Sequence, residues 1–295
     1  MIGLCNCDNT LKEAISSVYP TVILDMDDKI DLPSTLDGIF IDWSLKNTDG
    51  SKEWSKSYTR QAWIVEKYVK NIPTIIFDRY LSLSEKEYKW LRKFKVFFFE
   101  PALNFRRGFE YLPFWTRMRT LDDFDIDEKE RDVCLGFKGY LKDCIVSFEK
   151  YYVSFVKNWP TYKVLYNASL RKEKVEEYKN FNIMKGSLQL KDVDCIVAID
   201  SVKNYKIGYL NSVVFDAMSY GCIPFMPIEH RFFCSVFHHT VVDDISTMKW
   251  IINSERSIKL AVISDIYKDI KKIYPEFLID HTIDIIKNCF TIKES

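Results

Sequence analysis

The sequence carries no surplus of either charge: 42 Lys and Arg residues stand against 42 Asp and Glu. A protein that coats nucleic acid without specificity needs a strong positive field, so that class is excluded, while a local groove for DNA is not. Glycine and proline are scarce, nine of each in 295 residues, against a hydrophobic content of 47%. Collagen-like, low-complexity and disordered chains are thereby ruled out. No run reaches eighteen apolar residues, so no membrane-spanning helix is expected. Met1-Ile2-Gly3-Leu4-Cys5-Asn6 lacks both the charged start and the long apolar stretch of a secretory leader, which implies a cytoplasmic protein. The eight cysteines are scattered and read as reduced thiols. Cys5-Asn6-Cys7 lacks zinc-knuckle spacing, with no second Cys pair or spaced His pair to complete it. Neighbours such as His238 and His239 point opposite ways along a strand, so no metal is expected.

Short apolar runs alternate with longer amphipathic ones, the pattern of β-α-β units and a mostly parallel sheet. Strands are predicted at Thr21–Leu24, Gly38–Ile41, Thr74–Phe77 and Val96–Phe99, each ending at an acid: Asp25, Asp42, Asp78 and Glu100. Helices are predicted at Ser57–Lys70 and at Ser84–Phe94, where Ser84 and Glu87 make a capping-box pattern. A second series gives strands at Asp132–Leu135, Tyr162–Tyr166, Cys195–Ile199 and Ile223–Met226. Its helices are predicted at Lys142–Lys157, Arg171–Lys179 and Leu210–Tyr220. A helical tail, Ser254–Phe290, breaks at Pro275. The fold class is therefore α/β, with a first lobe over 1–116, a second over 117–275 and a C-terminal helix over 276–295.

Charge is uneven along the chain. Ten basic residues against four acids lie between Arg79 and Arg119, and seven acids follow between Asp122 and Asp132. The basic segment is interleaved with aromatic rings, among them Tyr80, Tyr88, Trp90 and Trp115. Positive charge suits phosphates and exposed rings suit unstacked bases, so Arg79, Arg106, Arg107 and Trp115 are candidate contacts to a nucleic-acid acceptor. The competing reading places much of this aromatic content in the core.

The most informative stretch runs from Gly208 to Pro224: a glycine turn, a helix beginning near Leu210-Asn211-Ser212, an acid at Asp216, a glycine stop at Gly221 and a strand. A helix start offers N–H groups to a phosphate, and glycine lets a ligand approach the backbone. A carboxylate one turn along suits ribose hydroxyls. The plain alternative is an ordinary amphipathic helix of an α/β domain.

Phe215-Asp216-Ala217-Met218-Ser219-Tyr220-Gly221-Cys222-Ile223-Pro224 resembles the donor-binding element of GT-B fold glycosyltransferases, in which Glu usually occupies the place of Asp216. Asp200-Ser201 and Lys206-Ile207-Gly208-Tyr209 resemble the strand end and glycine loop of CgeB-like and phage-encoded members. Gly136-Phe137-Lys138-Gly139-Tyr140-Leu141-Lys142 is similar to the segment where many retaining members have Gly-Arg and a later Lys, with Phe137 in place of the Arg. The resemblance spans about a third of the chain. It implies two Rossmann-like lobes, a nucleotide-sugar co-substrate, UDP-linked, and no cofactor. Gly136, Lys138, Gly139, Lys142, Ser201, Gly208, Tyr209, Leu210, Asn211, Ser212 and Asp216 would hold the donor. An acceptor would bind the first lobe, where an inverting enzyme needs a base: Asp42, Asp78 or Glu100. In a retaining enzyme the leaving phosphate serves instead.

Small size and the basic aromatic segment point to double-stranded phage DNA with hydroxymethylated bases as acceptor, in which case the cytoplasm is the host's. T-even-like phages carry GT-B enzymes that glycosylate such DNA. A glycan or spore-surface acceptor is the alternative. Outside enzymes, the alternative is a module that binds a nucleotide or modified base through a degenerate donor site. Asp25-Met26-Asp27-Asp28 resembles the metal-binding Asp-x-Asp of the other main glycosyltransferase fold, but reads better as an acidic loop.

Overall fold

The computed structural model describes residues 1–24, 36–44, 52–103, 106–113, 131–139, 141, 144–167, 184–185 and 188–291. Lys142, Trp115, the Asp25–Asp28 loop, the helix predicted at Arg171–Lys179 and the acidic run up to Glu130 lie outside the described residues. The chain divides into two units, Met1–Pro113 with Ile279–Ser295, and Phe114–Leu278. None of the described helices is long and apolar enough to cross a membrane. The eight cysteines remain thiols.

The first unit holds one parallel sheet in the order β2-β1-β3-β4-β5-β6. Its strands are β1 (Ile2–Cys5), β2 (Thr21–Ile23), β3 (Gly38–Asp42), β4 (Thr74–Phe77), β5 (Val96–Glu100) and β6 (Glu110–Tyr111). β1, β3 and β4 are buried throughout, which explains why they are runs of apolar residues without alternation. Helices α1 (Asn9–Ser16), α2 (Lys52–Tyr68) and α3 (Glu85–Leu91) connect strands. The capping box forms as the spacing requires: Glu87 N–H donates to Ser84 Oγ at 3.2 Å, and Ser84 N–H to Glu87 Oε2 at 2.9 Å. The C-terminal helix, Ile279–Phe290, packs on α1. A Cβ on Gly38 would fall 2.5 Å from the Phe290 ring, so the glycine admits the helix end.

The second unit also holds a parallel sheet, ordered β12-β11-β10-β7-β8-β9. Its strands are β7 (Val133–Lys138), β8 (Val164–Asn167), β9 (Met184–Lys185), β10 (Val193–Val197), β11 (Ile223–Pro227) and β12 (Val241–Val242). After β7 come α4 (Ile145–Ser147), a π-helical stretch (Phe148–Val153) and α5 (Ser154–Asn158). Phe148 anchors that helix, stacked on Tyr152 at 4.8 Å and edge-on to Phe137 of β7 at 4.9 Å. Burying such a ring contributes about 1.5–3 kcal/mol. The later helices are α6 (Val202–Ile207), α7 (Val213–Ser219), α8 (Ile245–Ile252) and α9 (Arg256–Ile273).

Both units are Rossmann-like, as the alternating pattern implies. Each has one point where the strand order reverses, between β1 and β3 in the first and between β7 and β10 in the second. Ligands of open parallel sheets bind beyond the carboxyl ends of the strands at such points. The residues there are Asn6 to Asp8 and Asp42 to Ser44 in the first unit, and Lys138-Gly139 and Ala198 to Ser201 in the second.

Candidate functional sites in the two units

In the second unit the chain leaves β10 through Asp200-Ser201. Ser201 Oγ caps α6 by accepting from Asn204 N–H at 3.1 Å, and Asp200 Oδ1 accepts from Ser201 N–H and Asn204 Nδ2, both at 2.7 Å. Gly208 ends α6 in the left-handed region at φ 69°, with Tyr209 N–H on Asn204 O at 3.0 Å and Gly208 N–H on Tyr205 O at 3.3 Å. These two bonds make a Schellman close, which favours glycine because a Cβ is strained there. Gly208 therefore has a folding role beside any approach of ligand to backbone.

The loop that follows differs from the sequence expectation. The helix predicted from Leu210 begins only at Val213, because Asn211 turns its own Oδ1 onto Val213 N–H at 3.0 Å and its carbonyl onto Val214 N–H at 3.2 Å. The N–H groups of Leu210, Asn211 and Ser212 make no hydrogen bond among the described residues, and Asn211 and Ser212 are half-buried. Three consecutive donors without partners form a local positive pole suited to an anion. Asp216 lies one turn along α7, exposed, while the flanking Phe215 and Ala217 are buried.

His230 holds this loop. It is 2% exposed and its Nε2 donates to the Tyr209 carbonyl at 2.7 Å, with the ring packed against Tyr205 at 4.9 Å and Phe233 at 5.1 Å. Burial pushes its pKa below the ordinary histidine value, which keeps the imidazole neutral at pH 7. Next to it, Glu229 accepts from Lys150 Nζ at 2.6 Å and from Tyr151 OH at 2.7 Å, tying the loop after β11 to the π-helical stretch. The sequence shows His230 just past a strand end but not its hold on Tyr209. Glu229 and Lys150 are 79 positions apart, so nothing local links them.

The β7 end places Lys138 and Gly139 exposed at the switch point. Gly136 requires correction as a donor contact. It lies inside β7, paired with Ile196 and Leu165, and a Cβ there would stand 2.7 Å from Leu188 Cδ1 and 3.0 Å from Val193 Cγ1. It is a packing glycine, because β7 runs three residues beyond its predicted end at Leu135. Gly208→Ala should lower the stability of the second unit by about 1–2 kcal/mol, the strain of a left-handed alanine. For a unit of this size that is a drop in Tm of about 2–8 °C. A Tm within 1 °C of wild type would show that the close at Gly208 is not under that constraint.

In the first unit three of the acids at the strand ends, Asp42, Asp78 and Glu100, are buried, and Asp25 lies outside the described residues. Asp42, at the end of β3, faces the Arg79 fork: Nη2 to Oδ2 at 2.5 Å and Nε to Oδ1 at 3.1 Å. Arg79 Nη2 also meets Asp8 Oδ2 at 3.0 Å. Burial raises the Asp42 pKa to about 7 in spite of the opposing Arg79 charge. Beside it Gln61 bridges the two loops of the switch point, accepting from Asn6 Nδ2 at 3.2 Å and Ser44 N–H at 2.8 Å, and donating to Ser44 O at 3.0 Å.

Asp78 and Glu100 are otherwise engaged. Asp78 accepts from the N–H groups of Ser82 and Leu83 at 2.9 and 2.8 Å and from Arg106 Nη2 at 2.6 Å. Glu100 accepts from Arg106 N–H at 2.9 Å and Nε at 2.6 Å. Burial brings Asp42 to about 7, a value suited to a base at neutral pH, which makes it the candidate base. Arg79 and Arg106 are likewise corrected as acceptor contacts. Their charges answer Asp8, Asp42, Asp78 and Glu100, of which Asp8 and Asp42 are brought to the segment only by the fold. Arg107 is exposed and Tyr80 is 40% exposed, while Tyr88, Phe98 and Phe109 pack together at 4.8–5.3 Å. Among the described residues no cluster of three or more His, Cys, Asp or Glu could hold a metal.

No family model and no curated protein matches the sequence. Solved structures that share the arrangement include an alpha-glucosyltransferase in complex with UDP and a 13-mer DNA containing a central A:G mismatch. It is 12% identical, with 92% of this chain and 85% of that one covered and a TM-score of 0.58. The glycotransferase of kitacinnamycin is 7% identical over 98% of this chain and 97% of its own, at 0.43. Medicago truncatula UGT71G1, complexed with UDP-glucose, is 9% identical over 94% and 79%, at 0.40. The first of these likenesses shows that the chain has the GT-B fold.

Proposed function

We propose that the protein is a glycosyltransferase that takes its sugar from a nucleotide-sugar donor, UDP-linked. The observation that carries this is the run of unpartnered N–H groups at Leu210, Asn211 and Ser212, beside the switch point of a Rossmann-like unit and one turn before Asp216. The donor diphosphate is assigned to those N–H groups and Lys138, which stabilise the charge that grows on the leaving nucleotide. Ser201 and Gly139 frame the same strand ends. Asp216 is assigned to the ribose hydroxyls, with Asp in place of the usual Glu. Lys142 keeps its role from the family resemblance.

Removal of the proton from the acceptor hydroxyl is assigned to Asp42 in the first unit. Its Oδ atoms are held by Arg79, and a pKa near 7 suits a base at neutral pH. The attacking oxygen forms its bond to the anomeric carbon as the bond to the diphosphate oxygen breaks, and the acceptor proton passes to Asp42. This is the inverting route; a retaining route would leave Asp42 out of the chemistry.

The acceptor we assign is a hydroxymethylated base in DNA. The basic segment that still presents Arg107 and Tyr80 supports it, as does the shared fold with a glucosyltransferase captured with UDP and DNA. The test uses labelled sugar nucleotides with hydroxymethylcytosine DNA. Transfer to DNA is expected; transfer only to a glycan would move the acceptor class, and donor binding without transfer or hydrolysis would favour a binding module. Asp216→Ala should weaken stabilisation by the productive sugar nucleotide by about 10- to 100-fold in Kd, the worth of a hydrogen bond to a charged group. Unchanged Kd and turnover in that variant would remove the donor assignment.

A further inference from the structure

The loop between α6 and α7 is held by its own residues at one end and from another strand at the other. At its far end Asn211 Oδ1 accepts from Val213 N–H at 3.0 Å. At its near end Tyr209 N–H is bound to Asn204 O at 3.0 Å, and the Tyr209 carbonyl accepts from His230 Nε2 at 2.7 Å. A carbonyl has no hydrogen to give, so the proton of the neutral imidazole sits on Nε2. The Tyr209 carbonyl and the Leu210 N–H belong to one planar peptide and point in opposite directions. Whatever holds that oxygen therefore also sets the direction of the Leu210 hydrogen, the first N–H of the loop.

His230 is itself firmly placed. Its backbone is tied to the end of β11: its N–H donates to Pro227 O at 2.9 Å, and its carbonyl accepts from Phe233 N–H at 3.2 Å and Cys234 Sγ at 3.4 Å. The two rings packed on the imidazole are fixed in turn. Tyr205 OH accepts from Asp200 N–H at 2.7 Å, and Phe233 packs edge-on against Phe277 at 5.7 Å. The adjacent acid, Glu229, is engaged by Lys150 and Tyr151. An imidazole fixed by its backbone and by two rings keeps its Nε2 in one place.

A polar ring costs stability at this position. His230 Nδ1 is buried with no hydrogen-bond partner, an orphaned acceptor among aromatic rings. Phenylalanine would fill much of the same space without that penalty. Packing alone therefore does not account for a histidine at 230, whereas the bond to Tyr209 does.

We propose that His230 is a positioning residue of the nucleotide-sugar site: it locks the Tyr209–Leu210 peptide so that the N–H, and not the carbonyl, faces the diphosphate. This rests on the glycosyltransferase reading above and adds to it a residue that acts only through the loop backbone. Released from His230, the peptide plane is free to rotate, and a carbonyl oxygen turned to a phosphate repels it. Backbone dipoles fixed in advance stabilise an anion without reorganising when it arrives. The hold of His230 thus contributes more to nucleotide affinity than to folding.

The test compares full-chain wild type, His230→Phe and His230→Gln by Tm without ligand and by calorimetric Kd for UDP. Phenylalanine keeps ring contacts and loses the N–H. Glutamine loses the ring and places an N–H at the same number of bonds from Cα. In His230→Phe the Kd for UDP is expected to rise about 10-fold, the scale of one hydrogen bond to a charged group. Its Tm should stay within about 3 °C of wild type. In His230→Gln the Kd should return to within about threefold of wild type, although Tm falls further. A merely structural histidine would give the opposite order, since affinity would follow stability. Should His230→Phe fail to fold, His230→Met, also without the N–H, takes its place. An unchanged Kd in the folded variant without the N–H, or a Kd in His230→Gln as weak as in that variant, would overturn the proposal and leave the nucleotide-sugar reading intact. Failure of wild type to bind UDP or any sugar nucleotide would overturn that reading, and this inference with it.

Discussion

Asp42→Asn is expected to lower sugar transfer by about 10²- to 10⁴-fold, the usual contribution of a positioned general base. Stabilisation by the sugar nucleotide should stay as in wild type, because the donor is assigned to the second unit. The wild-type rate should rise with pH and level off above about 7, where Asp42 loses its proton. The same group leaves a mark on stability. Its folded pKa lies above the ordinary value, so the native state holds a proton that the unfolded chain has released. Stability contributed by Asp42 therefore falls as pH rises from about 4 to about 7. Asp42→Asn should flatten that slope. Turnover within threefold of wild type across the range would exclude Asp42 as base and favour a retaining route in which the leaving phosphate takes the proton.

Arg106→Ala is expected to destabilise the first unit by about 3–5 kcal/mol, the cost of removing one partner of a buried ion pair. Arg106 answers two buried carboxylates, Asp78 at 0% and Glu100 at 2% exposure, donates to the Leu83 carbonyl at 3.1 Å and lies over the Phe109 ring at 3.8 Å. Both acids would lose their cationic partner, Glu100 with no other hydrogen-bonded side chain and Asp78 with the Ser82 and Leu83 donors alone. Burial already raises the Glu100 pKa with the arginine in place. A group whose folded pKa is raised loses stability as pH rises, so the deficit from Glu100 should grow with rising pH. Arg107→Ala, one residue on and exposed, should change stability by no more than about 0.5 kcal/mol. Equal Tm values for the two variants at pH 7.5 would show that Arg106 does not hold the strand ends together.

Charge counted along the segment from Arg79 to Arg119 treats each arginine as surface. Whether an arginine meets solvent or a buried acid depends on residues such as Asp8, 71 positions from Arg79. The first strand was missed for a similar reason. Ile2–Cys5 is four buried residues in the middle of the sheet, too short to carry a period, and its position places Asp8 beside Asp42's partner Arg79. The apolar spacing predicts a helix start at Leu210 because it continues through the loop, while the Asn211 side chain sets the true start at Val213.

What the amino-acid order determined by itself was local: apolar runs long enough only for buried strands, amphipathic spacing between them, the Ser84–Glu87 capping box and the glycine stops at Gly208 and Gly221. Those features depend on neighbours a few positions away, and they suffice for two Rossmann-like units. Tertiary structure alone decided which strand ends meet at a reversal of order, that Arg79 and Arg106 turn inward, and that His230 holds Tyr209. Each is a pairing across tens of residues, set by sheet register and burial, and no periodicity in the sequence encodes it.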